Sequence, residues 1–201
     1  MDAELLFKLT FAAIVIAFMA HRGYYHRKFA RSANSIVKQP DVGTATKIGN
    51  LIAIPAVLST LAYLAMPAFV AWASLPFAPW FRWLGVGLAI SGFGLLQWSH
   101  WALGSNWSDE PILLQGQQMV SKGPYRWIRH PIYAAFLLII GSSLPITANG
   151  LLGALWIAMT ALSVSDRIRI EEDLMLAQFG EEYRAYMHKT GRLLPRILRR
   201  S

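Results

Sequence analysis

Long apolar runs recur along this chain and constrain its fold more than any other feature. They cover residues 5–20, 48–74, 81–103, 131–144 and 151–164. A helix needs about 20 mostly apolar residues to cross a bilayer. The whole chain is 55% hydrophobic and only 15% charged, which is less charge than a soluble domain of this length carries. These features predict an all-α integral membrane protein, a bundle of about five transmembrane helices.

The charges are distributed unevenly between the connections. Residues 21–47 contain six cations and one anion, whereas residues 75–80 and 145–150 contain no charge. Because cytoplasmic loops of membrane proteins are enriched in Lys and Arg, we expect the N-terminus outside and the chain from Asp166 onward inside, as a cytosolic C-terminal helical cap. The net charge of +8 then indicates contact with anionic lipid and no nucleic-acid partner.

No second domain or internal repeat is visible, so residues 1–201 are interpreted as one membrane domain. Residues 1–103 would supply three spanning helices. Small residues of the third run are predicted to form a face for close helix packing: Gly85, Gly87, Ala89, Ser91, Gly92 and Gly94. His100, at the end of this run, is interpreted as a packing residue. The chain has no cysteine, which excludes disulfides and thiolate metal sites, and no metal is expected.

One polar stretch, residues 122–133, stands out between two apolar runs. It combines three cations, a histidine, two prolines and three aromatic residues. Pro131 suits the first turn of a helix, and His130 before it is biased towards a capping conformation. A helix start of this kind favours an anionic group. The alternative, given equal weight, is a basic membrane anchor with interfacial aromatic residues.

A second polar cluster follows the fifth apolar run. Arg167 and Glu171 are four residues apart, so they share a helix face. A surface ion pair would explain this spacing equally simply, but ionisable groups at the rim of a membrane bundle favour a functional role. The basic tail is interpreted as a lipid contact and comprises Arg192, Arg196, Arg199 and Arg200.

Together these motifs resemble a known family. The order G-P-Y-x-x-x-R-H-P-x-Y, an apolar hairpin, R-x-x-x-E-E, F-G-E-E-Y-x-x-Y and a late proline is similar to the isoprenylcysteine carboxyl methyltransferases. These are integral-membrane enzymes that use S-adenosylmethionine and are related to phospholipid N-methyltransferases. The resemblance covers residues 103–195 and implies that residues 104–201 form the part that binds the cofactor and carries out catalysis.

The resemblance also implies roles for individual residues. Arg167 would be the catalytic residue that faces the substrate carboxylate, and Glu171 would bind the cofactor. Arg129 and Glu172 would support them. The remaining cofactor contacts would come from the polar stretch and the loop before it: Gln117, Gln118, Met119, Val120, Tyr125, His130, Pro131, Ile132 and Tyr133.

The methyl acceptor stays open. A lipid-like or prenylated carboxylate entering from the bilayer is favoured; it is already ionised at neutral pH and needs no base. A phospholipid amine or a small thiol is the first alternative, and an amine would need a base such as Glu171 or Glu172. A sterol-type membrane reductase and a non-catalytic scaffold are the alternatives from other classes.

Overall fold

Helices account for most of the fold. The structure is a computed structural model, and it describes residues 2–32, 36–38, 43–108, 110–114 and 116–196. Within these residues there are six α-helices and one short antiparallel strand pair. The helices are α1 (Ala3–Ser32), α2 (Thr44–Ala65), α3 (Pro79–Leu103), α4 (Pro131–Gly141), α5 (Ser143–Thr147) and α6 (Gly150–Lys189), and the strands are β1 (Ile36–Lys38) and β2 (Leu113–Leu114). The all-α class is therefore confirmed.

Three of the described helices are long and apolar enough to cross a membrane. They are residues Ala3–Phe29 of α1, the whole of α2, and α6. Helix α3 forms as predicted, and the apolar stretch Pro131–Thr147 is shorter. The structure thus shows an integral membrane protein, while the count of five spans stays a prediction.

Several predicted boundaries were wrong. Helix α1 continues through the first part of the basic segment to Ser32, because hydropathy marks the edge of a bilayer and not the end of a helix. The second helix stops at Ala65, and a 3₁₀ segment begins at Pro67, whose missing N–H cannot continue the ladder. The predicted turn at 145–150 is partly helical, since α5 runs to Thr147.

The close packing of α3 on its neighbours uses only part of the predicted small-residue face. A Cβ on Gly92 would lie 2.7 Å from Ile139 Cγ1, whereas a Cβ on Gly87 or Gly94 would meet nothing within 4 Å. Ala89 is fully buried. Residues 85, 89 and 92 follow the helical repeat of 3.6 residues, so they share one side of the helix and the other two glycines do not.

The two uncharged connections meet at one end of the bundle. Asn149 Nδ2 donates to Val70 O at 2.8 Å, and Leu75 N donates to Ala148 O at 2.7 Å. From this end α6 runs unbroken to Gly180, where the backbone has a positive φ of 50°. At 1.5 Å per residue, Glu171 lies about 30 Å from the start of α6, which is the thickness of the hydrocarbon core.

Candidate active site

The polar stretch is shaped by a glycine turn and by the C-terminal segment. Gly123 begins a 3₁₀ turn with a φ of 59°, and a Cβ there would lie 3.0 Å from Ala102 Cβ. Only glycine tolerates both constraints. Beyond α6 the chain returns to this turn: Arg129 N donates to Gly191 O at 2.8 Å and His130 N donates to Arg192 O at 3.0 Å. The backbone of residues 127–130 is thereby fixed.

Glu172 is the buried acceptor beneath this turn. Its side chain is 5% exposed and accepts from Arg129 Nε at 3.0 Å and from Arg192 at 2.6 and 3.2 Å. His130 Nε2 lies 3.4 Å from Glu172 Oε1, at the outer limit of a contact and without hydrogen-bond geometry. The predicted supporting role of Glu172 and Arg129 thus corresponds to a network that joins three segments of the chain.

His130 also faces a second carboxylate. Its Nδ1 lies 3.2 Å from Glu171 Oε2, and the Tyr133 hydroxyl donates to the other oxygen of Glu171. A neutral imidazole carries only one N–H, whereas the imidazolium carries two, so two facing carboxylates favour the charged ring. Burial lowers the pKa of His130, but the nearby Glu171 and Glu172 carboxylates outweigh it and raise this pKa above 6.5.

Tyr125 is buried on the same wall and keeps its proton. Burial first, and then the charge of Glu171, raise the pKa of its phenol well above 10. Its carbonyl accepts from the Tyr186 hydroxyl at 2.6 Å. Tyr125 therefore offers a neutral hydroxyl, a donor as well as an acceptor.

The two polar clusters open into one cavity. The empty space in this cavity is about 1150 Å³ when the open solvent at its mouth is included. Arg167 lines the cavity and approaches the Tyr133 hydroxyl, the same hydroxyl that donates to Glu171. The predicted site residues that line it are Gln117, Gln118, Met119, Val120, Tyr125, Arg129, His130, Ile132, Tyr133, Arg167 and Glu171.

Two predicted residues do not line the cavity. Pro131 is fully buried in the first turn of α4, where its ring serves as the helix start. Glu172 contacts His130 and Arg129, which do line the cavity. The assignment of Pro131 to the cofactor contacts stays a prediction.

Sequence reasoning missed the opposite wall. His21, Arg22 and Tyr25 of α1 line the cavity together with His100 and Trp107. The Tyr25 and His100 rings lie 3.8 Å apart, and His100 Nδ1 is 2.8 Å from Leu96 O. His100 was interpreted as a packing residue. It does pack against neighbouring rings, and it also lines the cavity. The i, i+1, i+4 spacing of the three α1 residues would have indicated a shared helix face. That spacing is informative only once the helix is known to continue past residue 20.

The basic tail was also misread in part. Arg192 pairs with Glu172, and Arg196 donates to His188 O at 2.6 Å. Arg199 and Arg200 lie outside the described residues. The interpretation failed because a basic tail after a helix gives no local sign that it turns back.

The fold and the cavity define a class: an integral membrane helical protein with a cavity at one end of its bundle that charged, polar and aromatic side chains line. Comparison with known proteins shows a family likeness over part of the chain. Residues 85–177, slightly less than half of the chain, match the profile of the isoprenylcysteine carboxyl methyltransferase (ICMT) family. Over this segment the chain is similar to members of that family.

Curated relatives carry two kinds of name. The chain is 38% identical over 80 residues to the Protein-S-isoprenylcysteine O-methyltransferase of Saccharomyces cerevisiae, covering 39% of this chain and 33% of that protein. It is 35% identical over 71 residues to Methanethiol S-methyltransferase 1 of Bradyrhizobium diazoefficiens, covering 35% and 24%. The chain thus matches about a third or less of the length of these two relatives.

A solved structure shares the fold. It is titled as the eukaryotic intramembrane Ras methyltransferase ICMT without a monobody. The match has a TM-score of 0.59 at 21% sequence identity and covers 96% of this chain and 71% of that one. The N-terminal helices, outside the matched profile, are therefore part of the same fold.

Proposed function

We propose that the chain is a membrane methyltransferase that transfers a methyl group from S-adenosylmethionine to the carboxylate of a lipid-like or isoprenylcysteine-type acceptor. The observation that carries this proposal is the convergence of His130, Tyr133, Arg167 and Glu171 on one cavity. Motif residues about 40 positions apart in the chain meet there through α4 and α6. A non-catalytic scaffold does not require ionisable and polar side chains arranged around a cavity.

The residues present fit the cofactor. S-adenosylmethionine carries an ammonium, a carboxylate and an adenosine, and the cavity offers an anionic partner in Glu171 and neutral donors in Tyr125 and Gln117. Gln117, Gln118, Met119 and Val120 would hold the amino-acid part through the loop, and Ile132 would give it an apolar contact. When bound, the cofactor supplies a sulfonium methyl group, and the protein supplies binding and orientation.

Arg167 is placed to orient the acceptor. It stands one helical turn before Glu171 on α6 and reaches the same Tyr133 hydroxyl. A guanidinium binds a carboxylate through two parallel hydrogen bonds, so Arg167 would hold the carboxylate of the acceptor in a fixed orientation. Positioning of this kind accounts for much of the barrier lowering in such reactions, and a carboxylate at neutral pH has no proton to lose.

The membrane arrangement follows from charge and length. Five spans would come from α1, α2, α3, the α4–α5 pair and the first part of α6, which would place the N-terminus outside. The cavity lies at the end that carries Arg126, Arg129 and Arg167, about one hydrocarbon thickness from the uncharged turns. By the positive-inside rule this end faces the cytosol, and the C-terminal part of α6 would cap the site. The whole chain would work as one domain.

The test is transfer of a labelled methyl group from S-adenosylmethionine to a prenylcysteine carboxylate by detergent-purified protein. Arg167→Ala should lower transfer at least tenfold, because one charge-assisted hydrogen-bonding partner is lost, while Arg169→Ala, an exposed neighbour on α6, should not. If Arg169→Ala lowers transfer as much, or if no wild-type transfer is seen with any acceptor class, the proposal is wrong.

One alternative acceptor has support from the comparisons. The relatives named as methanethiol S-methyltransferases match this chain about as well as those named for isoprenylcysteine. Incorporation of label into an alkanethiol in place of the carboxylate would favour this reading.

A further inference from the structure

Helix α1 supplies a wall of the cavity that the family profile does not include. The profile covers residues 85–177, whereas His21, Arg22 and Tyr25 line the cavity from the other end of the chain. They stand opposite the wall that carries the matched motifs. The cavity is therefore lined both by residues that match the profile and by residues outside it, of which α1 supplies one wall.

This helix stands between the cavity and the bilayer. Tyr25 is 7% exposed on the cavity side, whereas Met19 and Tyr24 are 64% and 60% exposed on the other side. Exposed apolar side chains on a spanning helix face lipid. An acceptor that comes from the bilayer would thus meet α1 as part of its binding surface.

The matched half does not decide the acceptor. Relatives named for a carboxyl-methylated protein and for methanethiol are 38% and 35% identical to this chain over segments of similar length. Identities this similar do not separate the two acceptor classes. Cavity residues outside the matched profile can therefore contribute to selectivity; they include His21, Arg22 and Tyr25 of α1 and Tyr183 and Tyr186 of α6, and Arg22 is the cation among them.

The α1 wall is ordered by its own hydrogen bonds. His21 Nε2 lies 3.2 Å from Gln97 Oε1, and Gln97 Nε2 donates to the Tyr25 hydroxyl at 2.8 Å. Tyr25 packs on His100 and Trp107, at centroid distances of 3.8 and 5.7 Å. A wall held by α3 and the following loop can present Arg22 in a fixed position.

Arg22 brings a cation to this wall. Its guanidinium carbon lies 5.5 Å from the centre of the Phe136 ring. Phe136 is in turn 6.3 Å from Tyr133, whose hydroxyl is shared by Glu171 and Arg167. The cavity is thus flanked by arginines from α1 and α6, with aromatic rings of α4 between them. A guanidinium that lies over a ring still has N–H groups that suit a carboxylate.

We propose that His21, Arg22 and Tyr25 form an acceptor subsite, and that Arg22 selects an anionic amphiphile, a carboxylate with an apolar tail, over neutral thiols and amines. The proposal rests on the proposed methyl transfer. An anion between two guanidinium groups is stabilised, a neutral thiol gains nothing from them, and an ammonium is repelled. The aromatic rings around Arg22 would contact the apolar part next to the carboxylate.

The test compares acceptors in Arg22 variants of the full chain. The readouts are kcat/KM for a prenylcysteine carboxylate and for an alkanethiol, and the Kd of S-adenosylhomocysteine by calorimetry. Arg22→Gln should lower the carboxylate-to-thiol ratio of kcat/KM about tenfold, chiefly through KM, and Arg22→Lys should recover part of it. The matched control is Arg27→Gln, an exposed cation one and a half turns further along α1.

The outcomes separate this inference from the proposed function. An unchanged ratio in Arg22→Gln overturns the inference, as does a loss of S-adenosylhomocysteine affinity equal to the loss of carboxylate turnover. Wild-type protein that binds S-adenosylhomocysteine and methylates only thiols overturns the inference and leaves methyl transfer standing. Wild-type protein that binds no S-adenosylhomocysteine overturns both. A fall in the ratio with an unchanged Kd supports the subsite.

Discussion

Replacing Glu172 by glutamine removes the one negative charge that Arg129, Arg192 and His130 share. The Arg129 and His130 side chains are 8% and 5% exposed, so neither can replace this partner with bulk water. Breaking a buried ion pair by removal of one partner costs about 3–5 kcal/mol. We expect the lower end of this range, since Arg192 is 56% exposed and can turn to solvent.

The assay is thermal unfolding of detergent-purified protein, followed by tryptophan fluorescence. For a chain of this length about 3 kcal/mol corresponds to a fall in Tm on the order of 10 °C. The matched control is Glu181→Gln, which breaks the pair with Arg184 on the same helix, where the side chains are 85% and 64% exposed; it should change Tm by no more than about 2 °C. Equal shifts in the two variants would refute the argument that burial makes Glu172 the centre of the site.

Three further predictions follow from individual contacts. Arg192→Gln should lower stability by about 1 kcal/mol in the same assay, since its pair with the buried carboxylate is half exposed. An unchanged Tm would instead support the interpretation of Arg192 as a lipid contact. The carboxylates raise the pKa of His130 above 6.5 despite burial, so its contribution to stability is complete below pH 6.5 and is lost as pH rises through the folded-state pKa. The difference in Tm between wild type and His130→Gln should therefore shrink from pH 6 to pH 9, and a difference that grows would contradict the assignment. Gly92→Ala should destabilise by about 1–3 kcal/mol because its Cβ would lie 3.1 Å from the Ala135 carbonyl, whereas Gly94→Ala on the open side should be neutral or slightly stabilising; similar effects would place both glycines on one interface.

Much of the site was predictable because its signals are local. The proline that starts α4 and the four-residue spacing of Arg167 and Glu171 each specify a helix face without knowledge of the fold. The apolar hairpin between these two segments predicts only that they lie at the same end of the bundle. That they meet at one cavity was predicted from the family resemblance alone. That expectation is confirmed in the contacts of His130 and Tyr133 with Glu171.

The parts that sequence reasoning missed depend on distant contacts or on periodicity that was not applied. Arg192 turns back to Glu172 across the end of α6, and no local pattern encodes that return. His21 and Tyr25 reach the cavity only because α1 continues as a helix beyond its apolar run. The small-residue face of α3 could have been predicted correctly, since a repeat of 3.6 residues separates Gly92 from Gly94.

Calorimetric titration of S-adenosylhomocysteine into purified protein tests the central claim most directly. The wild type should bind at a single site, and Glu171→Gln should weaken binding at least tenfold, because a charge-assisted hydrogen bond to the ligand's ammonium is lost. Asp173→Asn, an exposed carboxylate two residues along the same helix, should bind as the wild type does. Equal affinity in all three proteins, or no binding in any, would contradict the account.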